Sequence, residues 1–274
     1  MHVRCLSIIS NVLRSLLVFS AFIASITMST QAETFVDTRG SPSAGAPFAR
    51  LLLTSSGFIN QAANEEFTRL LHDAAAAAGN GTRKVVYIVD AAVMERGNAE
   101  QDVERMRQRL TALGASEVVG LQLAHTPAAE VAHQLASAAC VYVEMGNTYF
   151  VAFHVRRTQA DVAIQQLVDR GGLFCGASAG AILAGATLKV CEWKAWDDPG
   201  HGQSWDLRNL PTGLDGLNLL KDGMSVFPHY SGQWQARAVE MAPQHQETVV
   251  ILDEGSVYVQ EPSGYRILGN NYNA

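Results

Sequence analysis

The chain has 274 residues, nearly half of them hydrophobic, and a net charge of −6 at pH 7. That length provides for one large domain or two small ones with a sizeable buried core. An acidic balance without any Lys/Arg cluster argues against nucleic acid as a partner, and no internal repeat or low-complexity tract is present.

The first 32 residues stand apart from the rest. Arg4 and Arg14 precede the 13-residue apolar run LLVFSAFIASITM, and STQA, ending at Ala32, offers small residues before a cut. The run is short for a membrane span of roughly 20 residues. Residues 1–32 therefore read as a signal peptide cleaved near Ala32, rather than as a membrane anchor. The mature product is expected to be secreted or periplasmic, with no membrane attachment after cleavage. Its removal takes away two arginines and no acid, which moves the net charge from −6 to −8. Cys5 leaves with it. Cys140 and Cys175 lie in apolar runs and read as small core residues, while Cys191 leaves room for one bridge.

Residues 33–48, rich in Gly, Ser, Pro and Ala, read as an extended arm. The domain begins at 49 and runs to 274. ARLLLTSSG is a buried strand, and NQAANEEFTRLLHDAAAAAG is a helix with Phe67, Leu70, Leu71 and Ala74 at helical spacing. RKVVYIVDA is the next strand and AEQDVERMRQRLTALG the next helix. SEVVGLQL is a third strand. TPAAEVAHQLASA is a helix with Thr126 as its cap and Pro127 at its first position. ACVYVEM and GLFCG are a fourth and a fifth strand. Continuous apolar strands separated by helices predict a doubly wound α/β domain, with a mostly parallel sheet covered on both faces. Ligands of such sheets sit beyond the carboxyl ends of the strands. Residues 190–222, rich in Gly, Asp and Trp, break the alternation, and loops of that length inside a compact domain are usually functional or disordered. MSVFPH, ETVVILDE, SVYVQE and YRILG follow as short strands that finish the sheet or add a small antiparallel piece.

Gly176-Ala177-Ser178-Ala179-Gly180 fits G-x-S-x-G between a strand and a helix. A tight turn at that point pushes the hydroxyl into the open, and small neighbours let the turn form. The Ala179 N–H at the helix start is a natural oxyanion donor. A serine nucleophile needs a base. His229 closes MSVFPH at a predicted strand end, where sites of parallel sheets form. His72 and His133 lie on predicted helices, and His201 lies in the Gly-rich segment. No H-x-x-x-H or C-x-x-C occurs, so no metal or other cofactor is expected. An acid is expected to hold the imidazole tautomer. The acids between Ser178 and His229 are Glu192, Asp197, Asp198, Asp206, Asp215 and Asp222.

With these residues the chain resembles the peptidase E and cyanophycinase family, serine hydrolases related in fold to class I glutamine amidotransferases. GASAGAI around Ser178 is similar to the family's nucleophile turn, VEMGNTYFV to its oxyanion loop, and MSVFPHY to its strand ending in the catalytic histidine. The likeness covers roughly residues 49 to 270. It implies a serine peptidase with Ser178 as nucleophile, His229 as base, and an acid near 192–198 as third member. Asp198 is the first choice, with Asp197 and Glu192 behind it. It implies an oxyanion hole of Gly146 and Ala179, a substrate contact at Asn147, and a small peptide or β-aspartyl substrate. Met145 stands where the family carries the first glycine of its oxyanion pair. Arg237 is a candidate for a substrate carboxylate, against its reading as an exposed helix arginine. Two competing readings are an α/β-hydrolase-type esterase and an amidotransferase-like binding module without turnover. The sequence is nearly silent on oligomeric state and is compatible with a homodimer.

Overall fold

Alternating runs of β-branched and aliphatic residues become the strands of one twisted layer. The structure is a computed structural model that describes residues 49–79, 81–245 and 248–269. The signal peptide (1–32) and the arm (33–48) lie outside the described residues. Strands β1 (Arg50–Thr54), β2 (Lys84–Ile88), β3 (Glu117–Leu121), β4 (Cys140–Val143) and β5 (Leu173–Ala177) pair in parallel. Strands β8 (Val257–Glu261) and β9 (Gly264–Leu268) extend the β1 edge antiparallel. The sheet has seven strands in the order β3-β2-β4-β5-β1-β8-β9.

Both faces of this sheet are covered, which is why its strands carry no polar–apolar alternation. Leu51 and Leu53 of β1 point into a core shared with Val151 and Ile164, while Leu52 points into the other, with Phe67 and Leu110. All of these are fully buried, and burying one such side chain contributes about 1.5–3 kcal/mol. One face carries α1 (Gln61–Ala77) and α3 (Ala99–Ala112). The other carries α4 (Ala128–Ala136), α5 (Thr148–Arg157), α6 (Ala160–Asp169) and α7 (Ala179–Ala184). The short α2 (Asp90–Arg96) follows β2 directly. Asparagine side chains start α1 and α3: Asn60 Oδ1 accepts from Ala63 N at 2.9 Å, and Asn98 Oδ1 from Gln101 N at 3.0 Å. The fold is the doubly wound α/β class that the alternation predicts.

Several local features differ from the sequence reading. Helix α4 begins at Ala128, with Pro127 as its cap residue, because the Thr126 hydroxyl donates back to Gln122 O instead of capping. Helices α5 and α6 fill the stretch between the fourth and fifth strands, to which the sequence pattern assigns no element. Strands β6 (Ser225–Phe227) and β7 (Val249–Ile251) form a separate parallel pair instead of finishing the main sheet. Helix α9 (Gln235–His245) connects them. Cys140, Cys175 and Cys191 are all buried and free, so Cys191 makes no bridge. Residues 190–222 contain α8 (Val190–Lys194) and fold back onto α7, with Leu217 N donating to Leu183 O and Asn218 N to Gly185 O, both at 2.8 Å. No described helix is long and apolar enough to cross a membrane.

Candidate active site

Ser178 sits between the last residue of β5 and the first of α7, with φ 46° and ψ −103°. Side chains rarely adopt that conformation, and holding a residue there costs about 1–3 kcal/mol. Two hydrogen bonds fix it: Ser178 N donates to Thr54 O of β1, and Ile182 N to Ser178 O, each at 2.9 Å. The flanking glycines are steric requirements. A Cβ on Gly176 would lie 2.5 Å from the Gly180 carbonyl, and one on Gly180 would lie 2.2 Å from Val143 O. Small residues are thus what lets the turn close and lift the hydroxyl out of the sheet.

His229 follows β6 by two residues. Its own backbone is left-handed, with φ 52°. The loop is pinned at both sides: His229 N donates to Ser55 Oγ at 2.9 Å, and Ser55 Oγ donates to Leu252 O at 3.0 Å. This brings His229 Nε2 to 2.9 Å from Ser178 Oγ. On the other ring nitrogen, Nδ1 lies 2.7 Å from Glu254 Oε1. The second oxygen of Glu254 accepts a hydrogen bond from the Ser56 hydroxyl. Burial pushes the Glu254 carboxyl up, but the hydrogen bonds from Ser56 and His229, with the charge of Lys194, more than offset it. The group is held below the usual glutamate value.

The acid on His229 is therefore Glu254, and none of the three acids singled out in the sequence takes that position. Asp198 Oδ1 instead accepts from Gly200 N at 2.9 Å and closes its own Asp-Pro-Gly turn. Asp197 Oδ2 accepts from Thr148 N at 2.8 Å, at the start of α5. Glu192 is exposed on α8. Glu254 is missed when only the interval between serine and histidine is searched. The signal that points to it is ILDE, a second apolar run ending in a carboxylate, as MSVFPH ends in a histidine.

Gly146 and Ala179 lie at equivalent positions just past the ends of neighbouring strands. Val143 of β4 is in register with Gly176 of β5, and each donor lies three residues further on. Among the described residues neither N–H has a protein acceptor. The Met145 N–H, in contrast, is turned aside and donates to Glu144 Oε1 at 3.0 Å. Glu144 is itself buried and accepts from the Tyr87 hydroxyl at 2.7 Å.

The two candidate substrate contacts are placed elsewhere. Asn147 is buried with both ends of its amide in use: Oδ1 caps Phe150 N at 2.8 Å, and Nδ2 donates to Asp198 O at 2.9 Å. Arg237 lies on α9, against Trp193 O and Glu240, and is absent from the lining of the serine pocket. His72, His133 and His201 are exposed.

Beside Ser178 and His229 opens a small pocket of about 30 Å³. Ile182, Phe227, Lys194, Trp196 and Asp197 line it. Trp196 is 57% exposed, with its ring centroid 6.1 Å from that of His229. Ser178, His229 and Glu254 thus form one hydrogen-bonded line beside this pocket.

The model of peptidase family S51 matches residues 51–267. The chain belongs to peptidase family S51. It is 28% identical over 194 residues to peptidase E of Salmonella typhimurium, covering 69% of this chain and 78% of that protein. It is 30% identical over 129 residues to an uncharacterized peptidase of Listeria innocua, covering 47% of this chain and 56% of that protein. That match thus spans little more than half of the relative's length. Among solved structures, a peptidase E candidate from Listeria monocytogenes superposes with a TM-score of 0.60 at 24% identity, covering 80% of this chain and 97% of that one. A peptidase from an acI-B1 Actinobacterium gives 0.60 at 21% identity, covering 82% and 89%. These two likenesses speak to the fold. Membership in family S51 replaces the α/β-hydrolase esterase reading.

Proposed function

We propose that this S51 member is a serine peptidase, residues 49–274 forming its hydrolytic domain, which acts on short aspartyl or β-aspartyl peptides outside the cytoplasm after cleavage near Ala32. One observation carries the reading: His229 bridges Ser178 Oγ at 2.9 Å and Glu254 at 2.7 Å through its two ring nitrogens. Ser178 Oγ attacks the scissile carbonyl carbon and passes its proton to His229 Nε2. The carbonyl oxygen becomes the oxyanion, held by the Gly146 and Ala179 N–H groups. His229 then gives the proton to the leaving amine, the C–N bond breaks, and an acyl-serine remains. Water, deprotonated by the same imidazole, releases the acid and restores Ser178. Glu254 keeps the Nδ1 proton in place and stabilises the imidazolium between steps.

The test is labelling of the chain from residue 33 onward with a fluorophosphonate, with Ser178→Ala as control, followed by a panel of Asp-Xaa dipeptides, β-aspartyl peptides and p-nitrophenyl esters. Labelling confined to Ser178 and turnover of an aspartyl peptide are expected. A chain that neither labels nor turns over any of them is a binding module, and the proposal fails.

A further inference from the structure

Two hollows of very different size flank the turn that holds Ser178. The small pocket draws on the core beneath α7, through Ile182. On the opposite face of the sheet, Phe58, Met106 and Tyr142, all of the core beneath α3, line a cavity of about 480 Å³, within the range of ligand sites. That cavity meets the reacting groups at three points. Ser56 at its edge donates to Glu254. Met145 in its wall precedes Gly146, an oxyanion donor of the proposed reaction. A Cβ on Gly57 would lie 3.9 Å from the Cβ of Ala177, the residue before Ser178. The charges around the cavity do not cancel. Glu144, buried in the wall, is answered by Arg105 at 3.8 Å, and Asp102 by Arg96 and Arg105, each at 3.0 Å. Arg109, one turn along α3 from Arg105, is left over. Its Nη2 donates to two neutral acceptors, Phe58 O at 2.7 Å and Asn64 Oδ1 at 3.0 Å, and among the described residues it forms no ion pair. Glu254 faces His229 and is absent from the lining. A guanidinium has five donors in a fork that matches a carboxylate. Tyr142 adds a second unmet group: it is 1% exposed, and its hydroxyl has no hydrogen-bond partner.

We propose that this cavity binds the leaving residue of the substrate: its free C-terminal carboxylate pairs with Arg109, and its side chain packs on Phe58, Ile59, Met106 and Met145. The ligand is the carboxyl end of a short peptide whose last residue is aliphatic. The inference deepens the proposed function and rests on Ser178 as the point of cleavage, because a residue that follows the scissile bond and carries a free carboxylate is the last of its chain. Size favours this side of the serine. About 30 Å³ is open in the small pocket and about 480 Å³ in the cavity, so the cavity is the one with room for a whole residue. Arg109 also ties down Phe58 and Asn64, so its service to the loop has to be told apart from recognition.

The experiment is calorimetric titration of Ser178→Ala, in the chain from residue 33 onward, with Asp-Leu, Asp-Leu amide and Asp-Ala. It reads binding without turnover. Asp-Leu should bind about 3- to 10-fold tighter than its amide, between the worth of an exposed ion pair and that of a charged hydrogen bond. That ratio should shrink towards 1 in 1 M salt. Asp-Leu should also bind roughly 10-fold tighter than Asp-Ala, for partial burial of its extra carbons. Adding Arg109→Gln should bring acid and amide to equal affinity, and Arg109→Lys should keep part of the preference. Should Arg109→Gln displace the loop and lose both ligands, the acid–amide comparison in Ser178→Ala alone decides. Equal affinity for acid and amide in Ser178→Ala overturns the proposal, as does failure of both to bind. A preference that survives Arg109→Gln, or equal affinity for Asp-Leu and Asp-Ala, overturns it too. Turnover is read separately in wild type, where kcat/KM should favour Asp-Leu over its amide by a similar factor, and equal values overturn the proposal. Hydrolysis of neither, with the carboxylate preference of Ser178→Ala intact, strikes the peptidase reading alone and leaves the carboxylate site standing.

Discussion

His229 and Glu254 lie two and three residues past the ends of two adjacent parallel strands, and their pairing follows from strand register. Phe227 of β6 stands opposite Ile251 of β7. The two chains then leave the strands side by side, and His229 Nδ1 meets Glu254 Oε1 at 2.7 Å. The backbone cross-links continue past the strands, with Leu252 N donating to Phe227 O at 3.0 Å and Tyr230 N to Leu252 O at 2.9 Å. Glu254 and His229 therefore come off the second, two-stranded sheet, and Ser178 off the main one.

Glu254→Gln should lower kcat by up to about 10⁴-fold with little change in KM, because an amide at this position favours the wrong imidazole tautomer. Asp198→Asn should leave kcat within a few-fold, since Asn can still close the turn through Gly200 N. Steady-state kinetics of both variants on one substrate decides the matter. A larger loss in Asp198→Asn would return the orienting role to the loop.

Ser56 should act on the charge of Glu254. The carboxyl is held below its usual value although burial opposes this, and the Ser56 hydroxyl is the first of the groups that lower it. A depressed carboxyl stabilises the fold above the unfolded-state pKa and loses that contribution as pH falls through the folded value. Ser56→Ala brings the folded value closer to the unfolded one, so the contribution at neutral pH shrinks. The stability gap between wild type and Ser56→Ala, taken from urea midpoints, should be open at pH 7 and should narrow by pH 3. A gap of equal size at both pH values would show that Ser56 contributes packing alone.

Much of this fold is legible in local sequence because its strands are buried on both faces: LLLT, KVVYI, CVYV and LFCGA read as strands without reference to anything distant. Ser178 and His229 are legible for the same reason, each ending a recognisable run. Helices α5 and α6 are harder, since TYFVAFHVRR is rich in aromatic and β-branched residues that favour strands, and tertiary packing makes it helical. Glu254 is harder still. Its role rests on β6 pairing with β7 across a whole intervening helix, and chain order alone points to the wrong acids. The fates of Asp197 and Asn147 were hidden in the same way. Both serve the entrance of α5, a helix that its own strand-favouring residues do not announce.

Gly146 should tolerate no side chain. It has φ 131°, and a Cβ there would lie 2.0 Å from Ala91 O, the carbonyl that accepts from Asn147 N at 3.1 Å. Gly146→Ala must push the loop away from α2. It should cost about 1–3 kcal/mol of stability and roughly 10²–10³-fold in kcat as the oxyanion donor moves. Thermal unfolding and kcat, measured together, test both halves. A stable variant with full activity would mean that the loop yields without consequence and that its N–H is not used.

The last expectation separates the serine's chemistry from its strain. Ser178→Ala and Ser178→Gly both remove the hydroxyl, and both should lose roughly 10⁶-fold in kcat, as expected for a triad nucleophile. They should differ in stability. At φ 46° and ψ −103° the cost falls on any residue with a Cβ, and Ser178→Ala keeps that cost. Ser178→Gly removes it, at the expense of about 0.4–1 kcal/mol from the greater freedom of glycine in the unfolded chain. With about 1–3 kcal/mol of strain released, Ser178→Gly should be the more stable of the two inactive variants by about 1 kcal/mol. Paired denaturation curves give the answer directly. If Ser178→Ala proved the more stable, the turn would hold its serine without strain, and the exposure of the hydroxyl would owe nothing to stored backbone energy.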